Sequence, residues 1–492
     1  MVGTQNRERS VDALRRKRQL LGSAKKCRWE RRWSLTDHRL RRLNGDDLQV
    51  GRLVGAQPGA DVHHGSDVAE GRTNRVGDPR IGSASHRVAG ADLVVENTLD
   101  AGSLVTSASG LSSAPVKKHV VILGAGFGGL ELATRLSDSF ADDVRVTLID
   151  RNDSFSFGFS KLDILFGRKT AADVLVRYGD ISKEAVEFRQ ERVTSIEPEK
   201  RRVTTDQGSY DADVLAVALG AEYDFAATPG FEEGGSEYYS VAGAERMRDV
   251  LPDFDSGRIL IGILGQPFKC PPAPFEGALL LHDHLVERGI RANAEIRVIG
   301  PMAAPVPITK EVSQSILGAL HERGIEYVPK QRVVELDTHG KEARLESGGT
   351  VPYDLFVGIP IHRVPEVVES SGLAVDGWVP VNHTNLMTRF PDVYAFGDVA
   401  GIPMAKAGVF AEAAAAVVAD DIGARLRGGV LERPYEGAGN CYLEFGRGMV
   451  GKVEANFLGG PAPTARLVGP SRDLAAEKEA FASTRRARWF GS

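Results

Sequence analysis

One glycine-rich segment constrains the fold of this 492-residue chain more than any other feature. Gly124, Gly126 and Gly129 follow the apolar run Lys118–Leu123 and open a helical pattern. Asp150 comes 21 positions after Gly129, at the end of the next predicted strand. In a βαβ unit such glycines permit a tight turn, close approach of the backbone to a pyrophosphate, and close helix–strand packing. The acid accepts hydrogen bonds from ribose hydroxyls, so the sequence predicts a dinucleotide-binding α/β unit.

Composition places most of the chain among ordinary soluble globular proteins. Hydrophobic residues make up 42% and charged residues 26%, and the net charge of −5 gives no general attraction to nucleic acid. The three cysteines, Cys27, Cys270 and Cys441, are too few for a secreted disulfide scaffold. The sequence has no apolar run of bilayer length, and its basic start lacks the apolar core of a secretory signal. We therefore expect a cytoplasmic protein.

Residues 1–115 differ from the rest of the chain. Residues 7–42 are rich in arginine, and short mixtures of Gly, Asp, Ser and His follow them. Such a segment buries too little apolar surface to offset the entropy of an ordered chain. We expect a disordered leader, or an upstream stretch included by a misplaced start codon. A basic arm that contacts nucleic acid or a membrane is the alternative.

The remaining sequence predicts two Rossmann-like α/β domains, with the second inserted in the first. The first domain takes residues 116–225 and 355–425, and the second takes residues 226–354. In the second domain we expect a helix over residues 276–288. Residues 426–492 predict strands followed by a helix, which would form a small C-terminal α+β domain.

The turn that opens the second domain carries prolines and a thiol where a nicotinamide-binding turn needs glycines. It reads Gly265-Gln-Pro-Phe-Lys-Cys270-Pro-Pro-Ala-Pro-Phe-Glu276. A pyrophosphate needs free N–H groups at a helix N-terminus, and proline has no N–H to donate. The next predicted strand ends in Gly300-Pro301 without the usual acid. Both elements that hold a nicotinamide dinucleotide are therefore missing, which argues against NADH as the electron donor.

Two downstream segments resemble FAD-binding flavoproteins with two dinucleotide domains. The segment that ends at Gly220 is similar to the Ala-Thr-Gly end of a flavoprotein strand, and Gly397-Asp398 is similar to the Gly-Asp signature that binds the ribityl chain. The resemblance implies that FAD is the cofactor and that the helix from Gly408 directs its positive N-terminus at the flavin ring. Asp398 is alternatively a helix N-cap. The expected cofactor-binding residues are Gly124, Gly126, Gly129, Asp150, Arg151, Val193, Gly220, Gly397, Asp398, Lys406 and Gly408.

The segments that contain Cys270 and Cys441 resemble a smaller group of these flavoproteins, those that oxidise sulfide. The run from Cys270 to Glu276 resembles the Cys-Pro-Pro-Gly-Pro-Tyr-Glu segment of the flavocytochrome c sulfide dehydrogenase flavoprotein, and also the Lys-Cys segment of sulfide:quinone oxidoreductases. Cys441, followed by a tyrosine, is similar to the second redox cysteine of these enzymes. The segment from Pro403 to Gly408 resembles the one near the flavin pyrimidine. Residues 225–237 contain no third cysteine, which puts a three-cysteine mechanism in doubt.

This resemblance implies an FAD-dependent oxidoreductase with a Cys270–Cys441 disulfide against the flavin. Hydrosulfide attacks one sulfur, a persulfide forms, the other cysteine leaves as a thiolate, and two electrons pass through FAD to a quinone. Glu276 would act as a general acid or base. A structural role stays open for each cysteine, as does helix capping for Glu276. Another thiol or persulfide donor and a homo-oligomeric state also stay open.

Two other functions share this layout. A type II NADH dehydrogenase is the first, but it needs the nicotinamide-holding elements that are missing here. A non-catalytic flavoprotein is the second, but it has no need of two thiols around the flavin. His282 and His284 are two positions apart and lie on different helix faces, so we expect no metal site.

Basic and aromatic residues alternate between Asp473 and Phe490. Such a tail is compatible with peripheral contact on an anionic membrane surface, here the inner face of the cell membrane. The alternative is a helix whose Phe481 and Trp489 pack on the protein.

Overall fold

A five-stranded parallel sheet forms the centre of the first domain in the computed structural model, which describes residues 116–491. Across the sheet the strands are Val393–Ala395, Val214–Val217, Lys118–Leu123, Val144–Asp150 and Val186–Gln190. The three inner strands are mostly buried, as expected of a parallel sheet covered on both faces. The predicted leader, residues 1–115, lies outside the described residues.

A second parallel sheet lies within the inserted part of the chain. Its four strands, in order, are Ile325–Pro329, Ala294–Gly300, Gly257–Ile263 and Leu355–Ile359. The predicted fold class, two Rossmann-like domains with one inserted, is therefore confirmed. The predicted domain boundary after residue 354 falls just before a strand that pairs with Gly257–Ile263, so by sheet membership the second domain extends to Ile359.

The two chain crossings between these domains pair with each other. Glu222–Asp224 leads out of the first domain, Ile361–Arg363 leads back, and the two form an antiparallel ribbon. After the first domain, an antiparallel sheet of three strands precedes the C-terminal helix, Asp473–Phe490. Those strands are Ala438–Gly446, Met449–Asn456 and Thr464–Ser471.

The remaining elements are short strands and the helices. The strands are Ser154–Phe155, Val176–Arg177, Val193–Glu197, Arg202–Thr205, Ser209–Asp211, Val333–Asp337, Glu342–Leu345 and Thr350–Pro352. The helices are Phe127–Phe140, Ser160–Leu165, Ala171–Val174, Phe231–Gly234, Val241–Val250, Ala273–Glu287, Lys310–Glu322, Glu366–Ser370 and Gly408–Leu426. The helix predicted to begin at Glu276 begins earlier, because a proline fits its first turn without loss of a helical hydrogen bond. Within residues 116–491, no helix is both long enough and apolar enough to cross a membrane.

The C-terminal helix packs on the first domain through its last turn. Trp489 and Phe490 are fully buried, and the indole N–H of Trp489 donates to the Glu131 carboxylate at 2.8 Å. The Trp489 ring meets Phe127 and Phe155 edge-on at 5.5 and 5.6 Å. The alternative in which the aromatic residues of the tail pack on the protein is therefore the observed one, and Trp489 is not free to enter a membrane surface.

Replacement of Trp489 by alanine should destabilise the protein by about 3–5 kcal/mol, since it leaves a large cavity and removes one hydrogen-bond donor from the buried Glu131 carboxylate. Urea unfolding of the holoprotein measures this change. The unfolding is monitored by the backbone circular dichroism signal, which does not rely on the fluorescence of the deleted tryptophan. Arg486→Ala on the exposed side of the same helix is the control, with an expected effect within about 0.5 kcal/mol. Equal unfolding midpoints for the two variants would contradict the packing.

Candidate active site

A cavity of about 450 Å³ lies where the three parts of the fold meet. Ten of the residues predicted from the sequence line it. They are Gly124, Gly126, Asp150, Gly220, Cys270, Glu276, Gly397, Asp398, Gly408 and Cys441. Segments from both Rossmann-like domains and from the C-terminal sheet therefore face one space.

The glycine-rich turn has the close contacts that its sequence predicts. Gly124 has φ +96°, and a Cβ there would lie 2.4 Å from the Ala218 carbonyl oxygen. Gly129 lies behind the cavity lining, where a Cβ would come within 1.8 Å of the Gly124 carbonyl oxygen. A Cβ on Gly126 would meet nothing within 4 Å, so this glycine leaves open space at the cavity wall.

Two helix N-termini open toward the cavity. Helix Phe127–Phe140 begins after Gly126 and helix Gly408–Leu426 begins after Ala407, and neither has a side-chain cap. Such ends carry free N–H groups and partial positive charge, which suit a pyrophosphate or an electron-rich ring. Asp150 accepts from the Ala125 N–H at 2.8 Å and thereby fixes the turn while still lining the cavity.

Asp398 lies in the short 3-10 helix Gly397–Val399 and not at the start of the following helix, so the helix N-cap alternative is wrong. Lys406 does not line the main cavity. Its Nζ donates to the carbonyl oxygens of Asp398 at 2.6 Å and Ala400 at 3.2 Å, and lies 3.6 Å from the centroid of the Trp378 ring. Burial lowers the pKa of Lys406 to about 8. Lys406 thus braces the Asp398 backbone from behind the cavity.

Besides Gly129 and Lys406, two further predicted cofactor residues lie outside this cavity lining. Arg151 pairs with Glu222 at 2.8 Å, at the beginning of the interdomain ribbon. Val193 is part of the strand Val193–Glu197, in a separate small sheet of the first domain. The structure therefore places neither side chain against the part of the cavity that holds the thiols.

The backbone of the proline-bearing turn is already hydrogen bonded within the protein. The Cys270 N–H donates to the Lys406 carbonyl oxygen at 2.7 Å, and the Lys269 N–H donates to His362 Nε2 at 3.3 Å. In the first turn of the following helix, the Ala273 N–H donates to the Cys270 carbonyl oxygen at 2.9 Å. Cys270 itself has φ +52°, a left-handed conformation unusual for a residue with a side chain. The turn therefore presents a thiol and not a row of free N–H groups.

Cys270 and Cys441 are free thiols in this structure and are partly exposed to the cavity. Burial raises the pKa of Cys270, and the charges of Glu276 and Cys441 raise it further. Burial, followed by the charge of Glu276, raises the pKa of Cys441 to about 12. Glu276 raises the pKa of both thiols, so the two thiols belong to one electrostatic cluster. Each thiol needs a proton acceptor before it can react as a thiolate.

Glu276 is buried in the cavity wall, and its Oε1 accepts the backbone N–H of Glu444 at 2.9 Å. The carboxylate is therefore directed at a strand of the C-terminal sheet, which argues against the helix-capping alternative. Burial raises the pKa of Glu276 to about 7, although the Lys478 cation opposes the rise. A carboxyl group with that pKa can exchange protons with a thiol near neutral pH.

Several residues of the site carried no recognisable signal in the sequence. Lys478 comes from the C-terminal helix, and its Nζ lies 4.0 Å from Glu276 Oε1 and also bonds to Glu444. The phenol groups of Tyr238 and Tyr239 donate to backbone carbonyl oxygens of the proline-bearing turn at 2.9 and 3.0 Å. Only the tertiary fold brings these residues to the thiols. Among the described residues no cluster of possible metal ligands occurs.

The cavity fits FAD on the observations above. The uncapped helix Phe127–Phe140 and the open space at Gly126 suit a pyrophosphate. Asp150 and Asp398 would supply carboxylates for the ribose and ribityl hydroxyls, and the second open helix end suits the ring. FAD supplies a two-electron acceptor at such a site.

Gly126→Ala should weaken FAD binding about tenfold or more without destabilising the apoprotein, because its methyl group enters open cavity space at φ −78°. Gly129→Ala is the contrasting variant, because its methyl group meets the Gly124 carbonyl and disrupts the turn itself. Flavin retention during gel filtration and the melting temperature of the flavin-free protein separate the two effects. Full flavin retention by Gly126→Ala would argue against a pyrophosphate at this turn.

Comparisons with known proteins agree with this site. The chain is 24% identical over 382 residues to the mitochondrial sulfide:quinone oxidoreductase of Mus musculus, which covers 75% of this chain and 84% of the relative. It is 26% identical over 261 residues to the type II NADH:quinone oxidoreductase of Staphylococcus aureus, which covers 48% of this chain and 64% of the relative. The similarity to sulfide:quinone oxidoreductases that the cysteine segments indicated is confirmed.

The fold is shared with a solved structure. The sulfide:quinone oxidoreductase of Aquifex aeolicus superposes with a TM-score of 0.69 at 24% identity, covering 76% of this chain and 92% of that one. The sequence pattern described as pyridine nucleotide-disulphide oxidoreductase matches residues 118–261 and 283–417, more than half of the chain. The chain therefore belongs to the pyridine nucleotide-disulphide oxidoreductase family and is an FAD-dependent oxidoreductase.

Proposed function

We propose that the enzyme oxidises sulfide through Cys270 and Cys441 and delivers the two electrons to a quinone. One observation carries the proposal: both thiols and the Glu276 carboxyl line the cavity that also contains the glycine-rich turn and Asp398. The names of the sulfide:quinone oxidoreductase relatives support this donor and acceptor.

The sulfur chemistry starts from the oxidised pair of cysteines. Hydrosulfide attacks one sulfur of a Cys270–Cys441 disulfide, an S–S bond forms with the incoming sulfur, and the bond between the cysteines breaks. One cysteine then carries a persulfide and the other leaves as a thiolate. Glu276 accepts the proton of the incoming sulfide and returns it when a thiol must be regenerated. The turn that holds Cys270 is fixed by the Lys406 carbonyl oxygen, which keeps the sulfur at the cavity wall.

NADH is a poor fit as the donor. A nicotinamide pyrophosphate at the second domain would need N–H groups at the start of helix Ala273–Glu287. Pro271, Pro272 and Pro274 have none, and the Ala273 and Glu276 N–H groups bond to backbone carbonyl oxygens within the turn. This is the specific observation that favours sulfide over the activity named for the type II NADH:quinone oxidoreductase relative.

We propose that a quinone binds against the aromatic part of the cavity lining. The rings of Phe127, Phe155, Phe159 and Phe481 line the cavity and form an apolar aromatic wall suited to a flat hydrophobic acceptor. Quinones reside in membranes, so we propose a peripheral enzyme that meets the bilayer without spanning it. The exposed Arg486 of the C-terminal helix supports contact with anionic lipid.

Anaerobic sulfide should bleach the absorbance of the bound flavin, and Cys270→Ser and Cys441→Ser should each abolish this reduction. The reason is that a serine oxygen cannot form the persulfide or leave as a thiolate. Stopped-flow absorbance of the purified holoprotein measures the rate. Variants that bind FAD normally but are bleached at the wild-type rate would refute the role of the pair.

NADH serves as the matched donor in the same experiment. We expect no fast bleaching, because prolines and internal hydrogen bonds leave no free N–H group for its pyrophosphate at the start of helix Ala273–Glu287. Rapid reduction by NADH together with no reduction by sulfide would assign the enzyme to the rival activity.

The rate of sulfide-dependent reduction should depend on the charge of Glu276. As a base it must be ionised, so with a pKa raised to about 7 its contribution is present above pH 7 and is lost as the pH falls below it. Glu276→Gln should lower the rate at high pH by about 10²-fold and remove this dependence. Dissolved sulfide ionises identically with both proteins, so the ratio of wild-type to variant rates isolates Glu276. A ratio independent of pH would contradict this role.

A further inference from the structure

We infer that Lys478 and Glu444 are positioning residues that set the charge of Glu276 in opposite directions, so that the C-terminal helix governs proton exchange at the thiols. The part concerning thiol chemistry rests on the proposed function. The electrostatic part concerns Glu276 alone and stands on the contacts of its carboxyl group.

The contacts form a continuous buried chain. Lys478 Nζ lies 4.0 Å from Glu276 Oε1 and bonds to Glu444, whose backbone N–H donates to that same Glu276 oxygen at 2.9 Å. Arg168 donates to both Glu444 oxygens, at 2.7 and 3.2 Å, and reaches Asp163 at 2.9 Å. All three residues are buried: Glu276 is 2% exposed, Glu444 9% and Lys478 7%. Removing charged groups from water costs free energy, so these buried charges are paired to offset their desolvation and not to keep the protein soluble.

Glu276 faces charged or titratable groups from every element around it. Lys478 from the C-terminal helix and Arg168 from the first domain favour its ionised form, and the Glu444 carboxylate opposes it. The thiols of Cys270 and Cys441 and the phenols of two neighbouring tyrosines complete the set, and burial keeps all four of these neutral near pH 7. The tyrosines are Tyr238 and Tyr239.

One cation is therefore shared by two carboxylates. Although burial opposes ionisation, Lys478 and Arg168 hold the pKa of Glu444 below its usual value. Glu444 consequently keeps most of the Lys478 charge, as the direct bond between them shows, while Glu276 receives it only at 4.0 Å. This unequal division leaves Glu276 able to gain and lose a proton near neutral pH, whereas full pairing with Lys478 would hold it ionised.

The two partners should therefore have effects of opposite sign. Lys478→Met removes the favourable charge and should raise the midpoint of Glu276 titration by roughly 1–3 pH units. Glu444→Gln removes the repelling charge and frees Lys478 for Glu276, so it should lower that midpoint. Lys478→Arg keeps the cation and should leave the midpoint within about half a pH unit of wild type.

Infrared difference spectroscopy during a pH titration of the FAD-loaded protein gives the midpoint directly. The C=O band of the protonated Glu276 carboxyl is assigned by its loss in Glu276→Gln. The wild-type band should titrate near pH 7. Flavin retention and melting temperature confirm that each variant is folded, and Lys478→Gln replaces Lys478→Met if the latter does not accumulate.

Shifts in opposite directions for Lys478→Met and Glu444→Gln support the inference, because a general loss of packing has no reason to reverse sign. Shifts in the same direction, or none, overturn it. The pH profile of flavin reduction by sulfide should move with the infrared midpoint in each variant. If sulfide does not reduce the flavin while the midpoints move as stated, the proposed function fails and the electrostatic inference stands. If sulfide reduces the flavin but the midpoints do not move, the inference fails and the proposed function stands.

Discussion

The contact of Trp489 with the aromatic residues behind the glycine-rich turn fixes one end of the C-terminal helix, and the site depends on it. The indole is fully buried, bonds to Glu131 and packs on Phe127, the first residue of the helix whose uncapped N-terminus opens toward the cavity. Eleven residues before Trp489 on the same helix, Lys478 meets Glu444 and Glu276. A single helix therefore connects the region behind the glycine-rich turn with the charged groups beside the thiols.

The proline-bearing turn shows how a dinucleotide-binding scaffold loses one ligand and gains a reactive group. Strand Gly257–Ile263 and helix Ala273–Glu287 keep the Rossmann-like arrangement. Between them, prolines remove N–H donors, and the backbone hydrogen bond from Cys270 to Lys406 satisfies another. The left-handed conformation of Cys270 is held by this bond and by the bond its own carbonyl accepts from Ala273.

The motifs with fixed local spacing could be predicted from the sequence. The glycine turn with Asp150, the strand before Asp398 and the open helix at Gly408 follow from periodicity and from the backbone needs of each turn. That Cys270 and Cys441 face one cavity was only implied by resemblance, since sequence separation carries no distance. Burial, not pattern, decided whether the tail aromatics faced the protein.

Other parts of the site could not be predicted. Lys478 looks like any charged residue on a polar helix, and only the packing of that helix on the C-terminal sheet buries it. The same holds for Arg168, which lies in a loop and reaches Glu444 far along the chain. The predicted boundary after residue 354 rests on composition, and composition alone does not show to which sheet the buried apolar strand Leu355–Ile359 belongs; its pairing with Gly257–Ile263 does.

The order of strands in the first sheet has a consequence for how the enzyme is made. Val393–Ala395 pairs with Val214–Val217. The sheet of the first domain therefore stays incomplete until the whole inserted domain and the strand after it have been synthesised. The glycine turn and Asp398, which line the same cavity, are then brought together only after a long loop has closed. Flavin uptake is in this sense a late event in biogenesis, and a nascent chain stalled within the second domain would expose an unfinished edge at Val214–Val217 to chaperones or to aggregation.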